Sequence, residues 1–553
     1  MDILNWVYLL KNKLVKKEVQ DPKQDLVILG NNVSYVKRGD KYQSYGMTVE
    51  DFAKAVGGLQ GESYIFVKGA SDDPTVNAAE LKAAYDIALA STPYGNPRGT
   101  GNEFSVIIGP GTYDMRAYNG TYGWELTGDY INMISLTGEP DVVISTFSVG
   151  GNYGTYKGLN AQSAPSVGLG NYGQILLGSD TNYNVTAYFE NCLASDYSFG
   201  AAINISGSFK NCEAGFLSFG CAMDTNFLPP NVIDPPQNPN ILSGTFDLTI
   251  KGDFENCIAN GFSFGSVLIN NNIGVAIVSS TFKNCTAGSN SFGSANTNCT
   301  IFDSIFTDCS TINGNKSFGT SSNLTGTSTV TINSRTSFTN CKTRGFGFTP
   351  GQSFGYIEGP AGTGTFSLQG TFINCLSGNQ SFGSTVGSGS LTGIFTNCEA
   401  GDESFGFNPF TLASTNTTGI FTNCRAGQRC FGALASGIFT NCTSGKPGGL
   451  GGVAFGVSSS GASQDATGTF VSCISTGRNA FGSVFLGTPN ASGSFYNCVS
   501  AGDSFGNMDA SSTSNLTGKA LYCHKTNGSF YTTPGGTPRA VLCINSALTV
   551  QTI

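Results

Sequence analysis

Charged side chains are scarce in this chain, at 12% of 553 residues, about half the usual quarter. A disordered polar chain needs low hydrophobicity with high net charge, so that class is excluded. Histidine occurs once, as His524, and no Cys-x-x-Cys pair exists. A zinc site and a serine triad are therefore not expected, nor is any other metal or cofactor. Phosphate loops of the Gly-x-x-x-x-Gly-Lys type are missing. No apolar run approaches the ~18 residues of a membrane span. Glycine is abundant, 75 residues, but follows no three-residue period, which excludes collagen. Long helices are excluded by the load of Gly, Ser, Thr and Asn. The net charge of −8 argues against a nucleic-acid partner, which wants a basic surface. The first twenty residues lack the layout of a secretion signal: Asp2 precedes the apolar stretch, lysines follow it, and no small-residue cleavage site comes next. Synthesis in a cytoplasm is expected.

What charge there is lies unevenly. Residues 1–60 hold nine Lys/Arg and seven Asp/Glu, and the remainder holds 19 and 29. A boundary is expected near Gly57-Gly58, with residues 1–60 as an attachment or oligomerisation segment. Within it Ile3, Val7, Leu10 and Leu14 form one helical stripe, compatible with a coiled-coil seam. A second short helix is expected from Thr48 to Val56. Residues 61–100 read as a linker and a capping helix. Asn77 is the expected N-cap, with Glu80 answering it, and Leu81, Ala84, Tyr85, Ala88 and Leu89 are the apolar face. Pro93, Gly95 and Pro97 end it. Strands are expected at Phe104–Ile108, Ile131–Leu136 and Val142–Ser148.

From residue 189 one phrase recurs twelve times: Phe, any residue, Asn, Cys, and later Ser-Phe-Gly. Examples are Phe189–Cys192, Phe254–Cys257, Phe372–Cys375 and Phe495–Cys498. The Phe-to-Cys step is always three, while the Cys-to-Cys period runs from 18 to 45 residues. A constant phrase with a variable return is a stacking unit whose insertions are pushed outward. Without Leu stripes or helical periodicity, these units read as rungs of a β-solenoid. Phe and Cys three apart would face opposite sides of a straight strand. Both suit a core, so the chain must bend between them. Asn is the bend residue because it tolerates the left-handed conformation best after Gly. Asp308 and Ser472 replace it in two copies. Three inward ladders follow: a Phe ladder, a Cys ladder after the corner, and a second Phe ladder from Ser-Phe-Gly. The corner Asn side chains should hydrogen-bond from rung to rung.

The Asn corner, the helix Asn77–Ala90 and the strand Val106-Ile-Ile-Gly-Pro-Gly-Thr-Tyr113 together resemble right-handed parallel β-helices of the pectin-lyase-like type. The resemblance covers roughly residues 70 to 550. It implies an all-β parallel β-helix over 101–510, with degenerate rungs or a cap at 511–553, and ~17 to 19 rungs in all. A short attachment-like N-terminus before a capped β-helix also resembles bacteriophage tailspike and tail-fibre proteins. That likeness implies a virion protein held to other particle proteins through residues 1–60, homo-oligomeric with a trimer favoured, and a host-surface glycan as ligand.

Fourteen of the seventeen cysteines fall on the repeat, counting Cys523 and Cys543. Neighbouring rungs carry parallel Cβ vectors that do not converge on a disulfide, so these thiols are expected to be reduced wall residues. Cys221, Cys299 and Cys430 lie off the repeat and are the candidates for reactivity, but they too are expected to be inert.

A glycan-cleaving site would need two carboxylates ~5–9.5 Å apart. Glu213 and Glu399 follow distant copies, and Asp196 and Asp503 stand singly. The nearest to a catalytic pair are Asp402 and Glu403, with Arg425 and Arg429 one rung on, where cross-rung charge pairing is the simpler reading. No catalytic residue is assigned. The reading is a non-enzymatic fibre that recognises its ligand through outer loops such as Cys221–Gly244, Thr343–Ser353 and Ser444–Ala454. The alternative is a tailspike depolymerase, a glycan hydrolase or lyase.

Overall fold

The computed structural model describes most of residues 63–525, with shorter stretches at 26–45 and 540–551. The helices expected at Ile3–Val19 and Thr48–Val56 lie outside the described residues. So do the bodies of the three insertions, at 224–245, 344–350 and 446–452. Between Val19 and Thr48, where no element was expected, Leu26–Leu29, Val33–Arg38 and Lys41–Tyr45 form a three-stranded antiparallel meander.

The rest is a parallel β-helix. Eighteen strands stack in one wall, each paired in parallel with the next, from Tyr64–Val67 to Ala540–Val541. At ~4.8 Å per rung the stack is about 80 Å tall. The first strand lies ahead of the capping helix, inside the segment the sequence reads as a linker. Between Phe246 and Asn490 this Phe wall holds a second strip, for example Asn298–Ile301 ahead of Ile305–Thr307. At Phe246–Glu255 the two strips run together as one ten-residue strand. After the Asn corner comes a Cys wall, such as Thr286–Ala287 and Ser310–Thr311. After the second Phe comes a third wall, such as Ser294–Ala295 and Thr320–Ser322.

The interior follows from the phrase. Phe189, Phe209, Phe254 and their successors stack with ring centroids 4.6–5.2 Å apart and planes within 2–18°. The second ladder, Phe199 to Phe481, stacks at 4.7–5.0 Å. The two ladders meet edge to face, as at Phe282–Phe292 with 88° between planes, an arrangement that satisfies the ring quadrupoles. Each corner Asn has φ of 51–56°. From Asn211 to Asn441 its Nδ2 donates to the preceding corner's Oδ1 at 2.9–3.2 Å. From Cys257 to Cys523 the ladder Sγ donates to a Phe carbonyl one rung back, as Cys285 does to Phe254 at 3.4 Å.

Three features were not anticipated. The second Phe is itself left-handed, with φ between 49° and 62°, a strained state for a bulky residue. A serine ladder beside it holds the turn: the Ser198, Ser218, Ser263 and Ser291 amides each donate to the next rung's Ser Oγ at 3.1–3.2 Å. In the later rungs a glycine seam runs two residues before the first Phe. A Cβ at Gly419, Gly437 or Gly468 would sit 2.2–2.4 Å from the carbonyl oxygen of the seam glycine one rung back.

The capping helix is Pro74–Ala90, and its N-cap is Asp73, not Asn77. Pro74 fixes φ at the first helical position, and Asp73 Oδ1 accepts from the Thr75 amide at 2.9 Å. Asn77 is instead buried under the helix. It accepts from the Ser71 amide and donates to the Ser71 and Thr112 carbonyls. Leu81, Ala84, Tyr85 and Ala88 are buried, while Leu89 is exposed. The Arg98 guanidinium donates to the Ala88, Leu89 and Ser91 carbonyls and closes the last turn. The strand expected at Val142–Ser148 is two strands, Val142–Ile144 and Phe147–Val149.

Candidate functional site

With the core filled by rings and thiols, chemistry is left to the outside. Position by position, the most varied outer surface is the bend three residues before each ladder aromatic. Parallel register places Tyr130, Tyr153, Thr186, Ser206, Lys251, Ser279 and Asp303 in one column. Its first two members stack, with ring centroids 4.9 Å apart and planes at 15°, and Tyr153 is 55% exposed. Their backbones are left-handed, with φ of 57° and 59°. The next five rungs form an open groove of about 540 Å³, whose polar lining includes Tyr188, Ser206, Lys251, Asp253, Ser280 and Asp303.

Small residues open this groove. Gly207 and Gly252 leave its floor without side chains, and Ser280 and Ser304 keep the bend hydrogen-bonded: the Gly252 amide donates to Ser280 Oγ, and the Ser280 amide to Ser304 Oγ. Burial and the nearby Glu190 carboxylate push the Tyr188 phenol up to about 12. It stays a neutral donor at physiological pH. Lys251 and Asp253 share the outward face of one strand. Asp303 is paired with Arg335 at 3.4 Å. Asp253 and Asp303 lie two rungs apart, about 10 Å along the axis.

The acidic residues singled out in the sequence are placed elsewhere and are engaged. Asp402 Oδ1 accepts from the Gln428 amide of the next rung at 2.7 Å, and its own amide donates to Asn379 Oδ1. A Cβ on Gly427 would lie 2.0 Å from that same carboxylate oxygen, so the glycine makes room for the staple. Asp196 does the same seven rungs earlier, accepting from the Phe216 amide at 2.6 Å. Glu403 accepts from Gln380 Nε2 at 2.9 Å and from the Arg429 guanidinium at 2.8 Å. Asp402 and Glu403 therefore bridge rungs. Glu213 and Glu399 stand in the outward column of the Cys wall, Glu399 between Leu376 and Arg425.

The off-repeat cysteines are as buried as the ladder ones. Cys221, Cys299 and Cys430 are 1%, 0% and 2% exposed, in keeping with inert wall residues. Burial pushes Cys299 up to about 12, and it raises Cys430 as well. Cys430 stands where other rungs have Ser, and its Sγ accepts from the Ser404 amide. Every cysteine is a free thiol. Among the described residues no His, Cys, Asp or Glu cluster could hold a metal ion, and no helix is long and apolar enough to cross a membrane.

The groove was not legible beforehand. Its neighbouring members lie 20–45 residues apart in sequence, and their alignment depends on return segments of unequal length.

No protein-family model matches the chain, and no curated protein matches it. Among solved structures it is similar to a chain described as "Geobacillus virus E2 - ORF18", at 11% identity, covering 78% of this chain and 70% of that one, with a TM-score of 0.23. A likeness at that level carries no argument about what this protein does.

Proposed function

We propose that this protein is a fibre or spike of a phage particle, held by residues 1–60, whose β-helix binds a host-surface glycan without cleaving it. The particle assignment rests on the layout of the chain, a compositionally distinct first segment ahead of a capped rod. The observation that carries the binding role is the groove from Thr186 to Asp303, continued by the stacked Tyr130 and Tyr153. Seven rungs span about 29 Å, enough for several sugar units. Exposed tyrosine faces suit the apolar face of a sugar ring, and the serine hydroxyls, Lys251 and Asp253 suit its hydroxyls. A rod held at every rung by two neighbours resists unfolding and can carry such a groove away from a particle.

The absence of cleavage is argued from carboxylate geometry. Asp303 is paired with Arg335, and Asp402 and Glu403 are occupied by cross-rung bonds. The test is to incubate the full chain with polysaccharide purified from the host surface, measuring retention and released oligosaccharide together. Retention without release is expected, with a loss of at least about tenfold in affinity for Tyr153→Ala combined with Lys251→Ala. Released oligosaccharide would make the protein a depolymerase. No retention by the unaltered chain would remove the glycan from this reading.

A further inference from the structure

We propose that the outer face of the Phe wall between Ile305 and Tyr496 is the surface on which a second copy of this chain packs. Two residues flank each ladder Phe and point outward. Over eight consecutive rungs, from Ile305/Thr307 to Ser494/Tyr496, none of these positions is charged. They are Ile, Val, Thr, Ser and one Tyr. Ile394, Ile420 and Ile438 lie in register on successive rungs and are 44%, 43% and 48% exposed, with Ile305 at 47%. From Gly370 onward the glycine seam runs alongside, so in those rungs no side chain rises two residues before the Phe.

The flanking column itself is uncharged here, and an ion pair beside it, Asp303 with Arg335, lies at the bend of its first two rungs. Upstream, the same wall carries Lys157, Glu190, Lys210, Glu255 and Lys283 in one column of alternating sign. A contact between two identical faces sets each side chain close to its own kind. A row of like charges there would repel, whereas Ile and Thr can interdigitate. The shared rung spacing also fits a second copy better than an unrelated partner, because the ranks of two such rods stay in step along the whole contact. The extent is sufficient. Eight rungs are about 34 Å tall, and the two strips of the wall together are about 25–30 Å wide, giving about 800–1,000 Å². A standard interface buries ~800 Å² per partner.

This proposal stands apart from the ligand groove and is tested on the full chain by sedimentation velocity at about 10 μM. An oligomer is expected. Ile394→Asp with Ile420→Asp and Ile438→Asp should weaken association at least about tenfold, while far-UV circular dichroism and the melting temperature stay unchanged. The control is Ile258→Asp with Leu376→Asp and Ile474→Asp. These residues are exposed to 48%, 39% and 41% on the Cys wall, and association should survive their replacement. A second readout does not depend on the triple variant folding. All native cysteines are buried, so a thiol introduced by Thr422→Cys reports on this face. It should react with a maleimide more slowly in the assembled protein than after dilution to monomer. A monomeric chain at that concentration would overturn the proposal, as would an oligomer whose introduced thiol reacts at the monomer's rate.

Discussion

The rungs between Thr186 and Asp303 and those between Gly370 and Gly518 have the same inside and different outsides. In both, Phe rings stack at about 4.6–5.2 Å and corner amides link rung to rung. Outside, the early rungs bend through Gly207, Gly252, Ser280 and Ser304, present Lys251, Asp253 and Asp303, and leave a groove. The late rungs bend through a glycine seam and present Ile and Thr on a plain face. The interior is dictated by stacking and had to repeat. The exterior was free to vary, and it varies in two blocks. We read that division as one stretch for a ligand and one for a sister chain.

The shared interior is the part hardest to disturb without loss. Phe209→Ala in the early block and Phe421→Ala in the late block should each cost ~3–5 kcal/mol, read by denaturant unfolding. Unequal costs would mean that the two interiors differ after all. The bend is where the blocks should stop being interchangeable. Gly437→Ser installs the residue that Ser280 provides upstream, yet its Cβ would meet the Gly419 carbonyl oxygen at 2.2 Å. A loss of about 1–3 kcal/mol is expected. If the variant were as stable as its parent, the seam would not be a steric requirement.

The corner should behave alike in both blocks, with a smaller effect. Asn397→Ala removes two amide links and leaves alanine at φ 52°, an expected loss of about 1–2 kcal/mol. Asn397→Gly relieves the backbone and should lose less. Surface charge should matter least. Lys157→Met breaks the pair with Glu190 and should change stability by no more than ~1 kcal/mol. The groove tyrosine gives a pH signature confined to the early block. Because its pKa is raised in the folded chain to about 12, Tyr188 adds stability that is present below pH ~10 and lost as pH rises from there toward 12. Ultraviolet titration of the full chain, compared with Tyr188→Phe, should show one phenol fewer titrating late.

Much of the fold could be read from the chain because its main rule is local. Three residues from Phe to Cys, with Asn between, define a corner whatever happens elsewhere, so the ring, thiol and amide ladders were all foreseeable. The helix cap was misread because Asn77 and Glu80 imitate a capping box, while the Asp73-Pro74 pair that starts the helix received no weight. The left-handed Phe and the serine ladder were hidden because a Ser-Phe-Gly triplet states composition but not φ. The glycine seam was present in sequence as Thr-Gly or Ser-Gly ahead of late Phe residues. Its reason, a carbonyl one rung away, exists only after stacking. The outer surfaces were least legible, since neighbours there are set by the length of each return segment.

The polarity of the corner ladder has a consequence for how the chain reaches this state. Each Asn donates backward, to the rung made before it, and each ladder thiol does the same. The N-terminal end of the stack is sealed by the helix Pro74–Ala90. A finished rung therefore offers bare acceptors and an open ring face only toward the C-terminus, as a crystal offers its growing face. The ribosome delivers residues in that same order. Folding becomes accretion on a seed: the sealed end nucleates, and every later rung is cast against the one already in place.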